Sequence, residues 1–320
     1  MRFLVTGAAG FIGSQVAEAL LARGDDVLGI DAFTDYYDVA IKHRNLVRCH
    51  NHSRFQFVPG DLTHLALDEL LDDVDVVFHL AGQPGVRLSW SDNFAVYVHR
   101  NILATQALLE ACRRAGRARI VFASSSSVYG NQANYPCAEH QLPRPHNPYG
   151  VTKLAAEQLC MLYAENWDLQ TVALRYFTVY GPRQRPDMAM NRFIDAAVRH
   201  RAVPLYGDGS QVRDFTFVSD VVEATVLAGL TDLPRGSVLN VAGSESATVN
   251  DALALVAEET GELLEIDPQP AQTGDVPRTG GSIDRAREML GWEPAVGLAE
   301  GIRQQVAWQL DTAARPAQAS

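Results

Sequence analysis

Two residues four positions apart have the chemistry for proton transfer. Tyr149 and Lys153 stand at i and i+4 of a predicted helix, so their side chains lie one above the other on the same face. A phenol with an ordinary pKa of about 10 is a poor base near neutral pH, and a neighbouring ammonium favours its ionised form. The spacing therefore indicates a tyrosine activated to take a proton from a hydroxyl group, although a surface tyrosine beside an unrelated lysine has the same spacing.

Four consecutive hydroxyl side chains precede this pair, at the end of a predicted strand: Ser124, Ser125, Ser126 and Ser127. Such a run is unusual for a turn that only caps backbone groups, which is the alternative interpretation. Because one hydroxyl can share a proton with Tyr149, the run favours a site built for acid–base chemistry.

A glycine-rich turn follows the first predicted strand. Gly7, Gly10 and Gly13 allow a tight turn and let backbone N–H groups approach a pyrophosphate at the start of the next helix. Asp31 ends the second predicted strand, where a carboxylate accepts hydrogen bonds from an adenosine ribose; a turn-capping role is the alternative. Since this charge would repel a 2′-phosphate, the sequence predicts a dinucleotide site that takes NAD rather than NADP.

Other residues at the ends of successive strands complete the predicted cofactor site. Small or polar groups there let the cofactor pass close to the backbone. The further candidates are Phe11, Ile12, Asp61, Leu62, Leu80 and Ala81.

Short apolar strands alternate with amphipathic helices through the first half of the chain. Strands are predicted at 2–6, 26–31, 55–58, 74–80, 119–124 and 171–176, and helices include 11–23, 101–115 and 149–167. This alternation predicts an α/β fold with a doubly wound, Rossmann-like parallel sheet. We expect an NAD-binding domain at 1–176 with a return segment near 211–229, a smaller α/β substrate domain at 177–312, and a frayed tail at 313–320.

Composition excludes several classes of protein. The net charge of −11 argues against binding to nucleic acid or to an anionic membrane. The four cysteines have no metal-like spacing, so we expect free thiols in a reducing compartment and no metal site. The first strand begins directly after Met1 and no apolar run approaches the ~20 residues of a membrane span, so a cytoplasmic protein is expected.

Taken in order, these motifs resemble the extended short-chain dehydrogenase/reductase family, in particular its nucleotide-sugar epimerases and dehydratases. The GAAGFIG turn, Asp31, the serine run with VYG, the Tyr149/Lys153 pair, RYFTVYGP and RDF all occur in family order within residues 1–295. The resemblance implies Ser125, Tyr149 and Lys153 as catalytic residues and adds Asn101 and Tyr176 to the cofactor site. It also implies a homodimer formed through the helices at 101–115 and 149–167.

The two residues after Ser125 separate the reactions of this family, which share a 4-keto sugar intermediate. Dehydratases that resemble this chain carry Asp-Glu there, and decarboxylases of UDP-glucuronate usually carry Glu at the second position. Ser126 and Ser127 cannot act as acid or base near neutral pH. The resemblance therefore favours epimerisation.

The segment from Thr178 to Ala189 resembles that of UDP-glucuronate 4-epimerases. A substrate carboxylate needs donors, which Arg185 could supply beside the hydroxyls of Ser126, Ser127 and Thr178, unless Arg185 only forms a loop salt bridge with Asp187. The remaining substrate candidates suit the nucleotide. The resemblance implies Arg213 as a diphosphate ligand, Arg278 and Arg87 are further candidates, and Tyr206 could stack on uracil. An exposed loop arginine without a ligand is the alternative for Arg278.

The sequence therefore predicts a UDP-glucuronate 4-epimerase that uses NAD. UDP-glucose 4-epimerase is the second interpretation and UDP-glucuronate decarboxylase the third. A non-catalytic protein that senses NAD on the same fold is the alternative from a different class. Residues Ser125, Tyr149 and Lys153 are all present, and such proteins often lack one of them.

Overall fold

The computed structural model describes residues 1–116 and 118–314, and strands alternate with helices through the first half. The strands are β1 (Arg2–Thr6), β2 (Asp26–Asp31), β3 (Phe55–Pro59), β4 (Val76–His79), β5 (Arg119–Ser125) and β6 (Thr171–Tyr176). The helices are α1 (Phe11–Ala22), α2 (Val39–His50), α3 (Leu67–Leu71), α4 (Phe94–Tyr97), α5 (Ala104–Ala115) and α6 (Pro148–Trp167), with a π-helix at Val98–Leu103 between α4 and α5.

The second half has shorter strands and more loops. Its elements are β7 (Thr178–Tyr180), α7 (Ala189–Val198), β8 (Val203–Tyr206), β9 (Val212–Phe217), α8 (Val218–Leu230), β10 (Ser237–Val241), β11 (Ser246–Thr248), α9 (Val249–Thr260), β12 (Ile266–Gln269), α10 (Asp284–Leu290) and α11 (Leu298–Ala314). Strands β11, β9 and β7 form one small sheet, and β12 and β8 form another.

The central sheet confirms the predicted doubly wound α/β fold. Its strands run in the order β10-β6-β5-β4-β1-β2-β3, and neighbouring strands are parallel. The order reverses between β1 and β4, which is where open sheets of this kind bind their ligands. Helix α8 packs on α1, and β10 then pairs with β6 in the central sheet.

Apolar side chains cover both faces of this sheet. Phe3 and Val5 point into a core shared with α1 and α8, whereas Leu4 points into a second core shared with α5 and α6. This alternation has the period of two that a strand requires, and burial of each large side chain contributes about 1.5–3 kcal/mol. A third core lies between α7, α9 and α11 of the second half. The ends of strands β1 to β6 are thus held at one rigid edge.

Three further expectations concern the chain as a whole. The four cysteines are free and buried, as predicted. Within residues 1–116 and 118–314 no helix is long and apolar enough to cross a membrane, and no cluster of side chains suits a metal ion. Helix α11 continues to Ala314, and the rest of the predicted tail, 315–320, lies outside the described residues. The domain boundaries stay a prediction.

Candidate active site and cofactor cavity

A cavity of about 450 Å³ lies at the carboxyl ends of the strands, at the point where the strand order reverses. Most of the predicted site residues line it. They are Gly7, Gly10, Phe11, Ile12, Gly13, Asp31, Asp61, Leu62, Leu80, Ala81, Ser125, Ser126, Ser127, Tyr149, Lys153, Tyr176, Thr178 and Arg185. The structure therefore brings the predicted cofactor and catalytic residues together in one space.

The glycine-rich turn leaves no space for side chains. Gly7 has a φ of +70°, and a Cβ on Gly13 would lie 2.1 Å from the Gly7 carbonyl oxygen. Helix α1 begins after Gly10, which provides no side-chain cap. The N–H groups of the first turn are therefore available to a ligand, and the positive end of the helix dipole favours a pyrophosphate there.

Asp31 is fixed at the end of β2 by two backbone groups. Its carboxylate accepts hydrogen bonds from the backbone N–H groups of Phe33, at 2.8 Å, and Ala9, at 3.1 Å. Because each oxygen has further lone pairs and Asp31 lines the cavity, the carboxylate can still accept from ribose hydroxyls. The glycine turn, the uncapped helix and this carboxylate together fit a dinucleotide.

The start of α6 places Tyr149 against the serine run. Asn147 caps the helix by accepting a hydrogen bond from the Gly150 N–H at 2.8 Å, and Pro148 occupies the first turn. A Cβ on residue 150 would lie 2.5 Å from the carbonyl oxygen of Ser127, so this approach requires glycine. Helix α6 therefore begins one residue before Tyr149 and packs closely on the backbone of the serine run at Ser127.

The electrostatics of the catalytic pair differ from the prediction in one respect. Burial raises the pKa of Tyr149, while a hydrogen bond with Ser125 and the positive charge of Arg185 lower it. Lys153 instead donates to the carbonyl oxygen of Ala123 at 2.9 Å, and burial lowers its pKa to about 8. The charge that lowers the pKa of Tyr149 is that of Arg185, whereas the Lys153 ammonium bonds to the end of β5; a role of Lys153 toward the phenol stays a prediction.

A buried ion pair supports the catalytic helix from behind. Arg175 on β6 donates to both oxygens of Glu157 on α6, at 2.6 and 3.0 Å. Ser124 at the end of β5 donates to the same carboxylate at 2.6 Å, and Arg175 also donates to the hydroxyl of Tyr129 at 2.8 Å. Since Glu157 and Arg175 are almost fully buried, this pair links three elements that carry site residues.

A chain of hydrogen bonds through His79 holds the cavity wall after β4. The Ala81 N–H donates to the Thr6 hydroxyl, which lies 2.8 Å from His79 Nδ1, and His79 Nε2 lies 3.0 Å from the Thr105 hydroxyl. Thr105 in turn donates to the carbonyl oxygen of Asn101. Because each hydroxyl has one proton, the chain is satisfied when the imidazole is neutral, accepts at Nδ1 and donates at Nε2.

This imidazole makes stability depend on pH. Burial lowers the pKa of His79 to about 3, so the unfolded chain binds a proton that the folded chain rejects. Stability therefore falls as the pH drops below the unfolded value of about 6.5, by up to about 2.7 kcal/mol from this group at about pH 4.5. Urea unfolding at about pH 6.5 and about pH 4.5 gives the free energy of unfolding of the wild type and of His79→Gln. We expect this free energy to fall less with pH in His79→Gln. An equal fall in both proteins would contradict a buried, neutral His79.

Arg185 lies in the cavity wall but already has a partner. It donates to both oxygens of Asp187, at 3.0 and 2.9 Å, and Asp187 also accepts from the Tyr36 hydroxyl at 3.3 Å. Burial opposes the charge of Arg185, but Asp187 outweighs this and raises its pKa. The salt bridge that the sequence left as an alternative is therefore present, beside the hydroxyls of Thr178 and the serine run.

Five predicted residues do not line the cavity. Asn101 is buried behind it, where its side chain accepts from the Gln83 N–H and donates to Thr152, so its contacts are with the protein. The other four also lie outside it: Arg87 packs on Tyr206 at the end of β8, Arg213 lies on β9, and Arg278 forms a bridge with Val212.

Arg87 and Tyr206 are in contact, whereas Arg213 and Arg278 lie on backbone segments that pair. The guanidinium of Arg87 stacks 3.8 Å from the centre of the Tyr206 ring and lies 3.8 Å from Asp275. Arg213 follows Val212, which forms a bridge with Arg278. A base that stacked on the same face of Tyr206 would have to displace Arg87. Their roles toward a nucleotide stay predictions.

Sequence reasoning missed Lys42, which lines the cavity and is only 4% exposed. A lysine on a helix is usually solvated, so the residue type alone does not predict a buried site residue. The helical spacing does indicate burial, because Lys42 shares the face of α2 that buries Leu46 and Cys49. Tyr176 was predicted and does line the cavity, but its hydroxyl is bonded to Thr225.

Comparison with known proteins agrees with this geometry. The family described as GDP-mannose 4,6 dehydratase matches residues 4–305. The chain belongs to this extended short-chain dehydrogenase/reductase family. In this family, the chain is similar over 96% of its length to two curated proteins. An uncharacterized UDP-glucose epimerase, YtcB of Bacillus subtilis, is 41% identical with 98% of it covered, and a UDP-glucuronate 4-epimerase of Thermodesulfobacterium geofontis is 36% identical with 95% covered.

A solved short-chain dehydrogenase/reductase structure is similar throughout. The UDP-glucuronic acid 4-epimerase of Bacillus cereus, in complex with UDP-glucuronic acid and NAD, is 40% identical with a TM-score of 0.94. The match covers 98% of this chain and all of that one. The resemblance inferred from the motifs is therefore confirmed at the level of the family and its nucleotide-sugar epimerases.

Proposed function

We propose that this chain is an NAD-dependent 4-epimerase that interconverts UDP-glucuronate and UDP-galacturonate. The observation that carries the proposal is the distribution of charge in the cavity. Among the described residues that line it, the carboxylates are Asp31 and Asp61, which follow β2 and β3. At the other end, Ser125 is followed by two further hydroxyls. An elimination needs an acid and a base beside the sugar, so this cavity suits a reaction that only oxidises and reduces one carbon.

The protein groups near Ser125 can carry the proton steps. When bound, NAD supplies the acceptor and donor of the hydrogen at C4 of the sugar. Tyr149 removes the proton of the C4 hydroxyl while the C4–H bond breaks with its electron pair, which leaves a ketone at C4. The 4-keto sugar then turns its other face toward Tyr149. Return of the hydrogen with its electron pair to that face, with the proton given back by Tyr149, inverts C4. Ser125, whose hydroxyl lowers the pKa of Tyr149, can share that proton.

The wall beside Ser125 suits a sugar that carries a carboxylate. Hydroxyls of Ser126, Ser127 and Thr178 and the guanidinium of Arg185 line the cavity there. A 4-keto-glucuronate is a β-keto acid, which loses carbon dioxide when its C5–C6 bond aligns with the carbonyl π system. Donors that hold the carboxylate ionised, with that bond near the carbonyl plane, would suppress this loss.

The proposal is tested by product analysis. The protein is incubated separately with UDP-glucuronate and UDP-glucose, and the products are identified by NMR. We expect UDP-galacturonate from the first substrate and no UDP-galactose from the second. A UDP-pentose as the main product would identify a decarboxylase instead, and no turnover of either sugar by protein with bound NAD would favour a sensing role.

UDP-glucose is the second candidate substrate, and one observation favours it. Asp187 already neutralises Arg185, so the cavity offers a substrate carboxylate less net positive charge than the arginine alone suggests. YtcB of Bacillus subtilis, named a UDP-glucose epimerase, is consistent with this alternative. UDP-galactose in the product assay would decide for it.

The role of Arg185 separates the two substrates. We expect Arg185→Ala to raise KM for UDP-glucuronate by about 10- to 100-fold, the range of a lost charge-assisted hydrogen bond, and to release some UDP-pentose. Asp187→Asn is the matched variant. It keeps the Arg185 guanidinium but removes the carboxylate that neutralises it, so the KM for UDP-glucuronate should fall. Steady-state kinetics and NMR of the products measure both. Unchanged KM and products in Arg185→Ala would rule out contact with the carboxylate.

We also propose a homodimer. Apolar side chains on and beside α5 and α6 are exposed in the single chain: Leu103 at 49%, Val151 at 48%, Leu162 at 52% and Trp167 at 58%. Two copies that pack these helices together would cover them. Light scattering should give a mass near twice the 35.0 kDa of one chain; a mass of one chain would contradict it.

A cytoplasmic location is part of the same proposal. The four cysteines are buried and unpaired, as is usual in reducing compartments. Cell fractionation tests it, and recovery in an oxidising compartment would overturn it.

A further inference from the structure

Lys42 is a buried cation in the part of the cavity that faces the ribose-binding carboxylate. Its ammonium lies 3.6 Å from Asp31 Oδ1, donates to the Thr34 hydroxyl at 3.1 Å and sits 5.1 Å from the centre of the Tyr37 ring. Lys42, Asp31, Thr34 and Tyr37 all line the cavity. The positive charge therefore stands where a bound dinucleotide has its adenosine ribose.

The protein alone does not satisfy this ammonium. It has three N–H donors, but one hydrogen bond of ordinary length, to Thr34, and a longer contact with Asp31. The two oxygens of Asp31 are each engaged by a backbone N–H, from Phe33 and Ala9. Burying a charge with incomplete partners is costly, and here burial lowers the pKa of Lys42. Donors left over at a cavity wall are suited to acceptors on a ligand.

We propose that Lys42 is a second determinant of dinucleotide choice, which donates to the ribose diol that Asp31 accepts from and which forms a ready counter-ion for a 2′-phosphate. In the wild-type site the carboxylate excludes that phosphate by charge. Once Asp31 is replaced by a neutral residue, the ammonium loses its counter-charge and faces the 2′ position with the donors that Thr34 does not engage. The site therefore contains a latent NADP subsite that one acidic residue keeps closed. This inference does not depend on which sugar is the substrate.

The test is a competition between the two dinucleotides. Each variant is exchanged against equal concentrations of NAD and NADP, desalted and denatured, and the released dinucleotides are quantified by chromatography. Asp31→Ser should shift the NADP-to-NAD ratio by about 100-fold, because a repulsive charge is removed and an unopposed ammonium remains. Adding Lys42→Met to Asp31→Ser should reverse at least about tenfold of this gain.

Single replacement of Lys42 provides the matched control. Lys42→Met, which keeps the length and apolar stem of the side chain, should weaken NAD binding by about tenfold. Lys42→Arg keeps the charge and should retain NAD. Thermal unfolding of each protein shows whether it is folded. If Asp31→Ser and the double variant Asp31→Ser/Lys42→Met take up NADP equally well, or if Lys42→Met alone binds NAD like wild type, the proposal is wrong.

Discussion

Tyr149→Phe is expected to lower kcat by about 10²- to 10⁴-fold, the range that general acid–base catalysis contributes. The variant removes one hydroxyl and keeps the ring, which packs edge-on against Tyr97 at 6.3 Å between centres. Affinity for the UDP-sugar and NAD should therefore change little. Steady-state assays give kcat, and calorimetric titration with a UDP-sugar gives the affinity separately.

A second tyrosine on the same helix provides the control. Tyr163 lies on α6, and its hydroxyl bonds to Glu110 outside the cavity, so Tyr163→Phe should retain wild-type kcat. The pH profile adds a signature that a loss of packing would not produce. Because burial raises the pKa of Tyr149, the wild-type rate should climb with pH on the acid side, and the residual rate of Tyr149→Phe should lose that dependence. If Tyr149→Phe kept more than about a tenth of the wild-type kcat, a role of Tyr149 in proton transfer would be contradicted.

Arg175→Met should be the most destabilising single change, with a loss of about 3–5 kcal/mol in the free energy of unfolding. The residue is 3% exposed and donates twice to Glu157, which is fully buried. Without the guanidinium, Glu157 is left as a buried charge whose remaining partner is the Ser124 hydroxyl. Urea unfolding followed by circular dichroism measures the loss.

Removing both charges separates the ion pair from its packing. In Glu157→Leu/Arg175→Met no uncompensated charge is buried, so much of the lost stability should return. The hydroxyls of Ser124 and Tyr129 would each lose one partner, which limits the recovery. If the double variant is as unstable as Arg175→Met, lost side-chain packing and not the uncompensated charge of Glu157 explains the lower free energy of unfolding.

Local sequence patterns predicted the elements of the cofactor half well. The bounds of β1, β2 and β6 agree with the predicted 2–6, 26–31 and 171–176, because their apolar runs are flanked by glycine or polar residues. Tyr149 and Lys153 lie on a helix as the spacing predicted, and Asn147 and Pro148 are local signals for the start of that helix. Signals of this kind depend on neighbours in the chain.

Contacts between distant residues were not predictable in the same way. Lys153 bonds to a carbonyl on β5, and its partner depends on how α6 packs on the sheet. Strand β10 was missed because Ser237–Val241 lies among loops, and its pairing with β6 joins segments about 65 residues apart. Arg185 was identified, but whether Asp187 or a ligand engages it depends on loop geometry and not on spacing.

Strand β10 has a consequence for how this protein can be divided. It pairs with β6 on the outer edge of the sheet, with Leu239 opposite Leu174 and Asn240 opposite Arg175. In the chain it follows β7, β8 and β9, which belong to the small sheets of the second half. A gene cut after Tyr176 would encode a sheet that ends in a bare edge, with unpaired N–H and C=O groups open to any passing strand. The cofactor half therefore cannot be separated from the second half by a single cut in the chain. Recombination that exchanged the sugar-binding half would have to join the chain on both sides of β10.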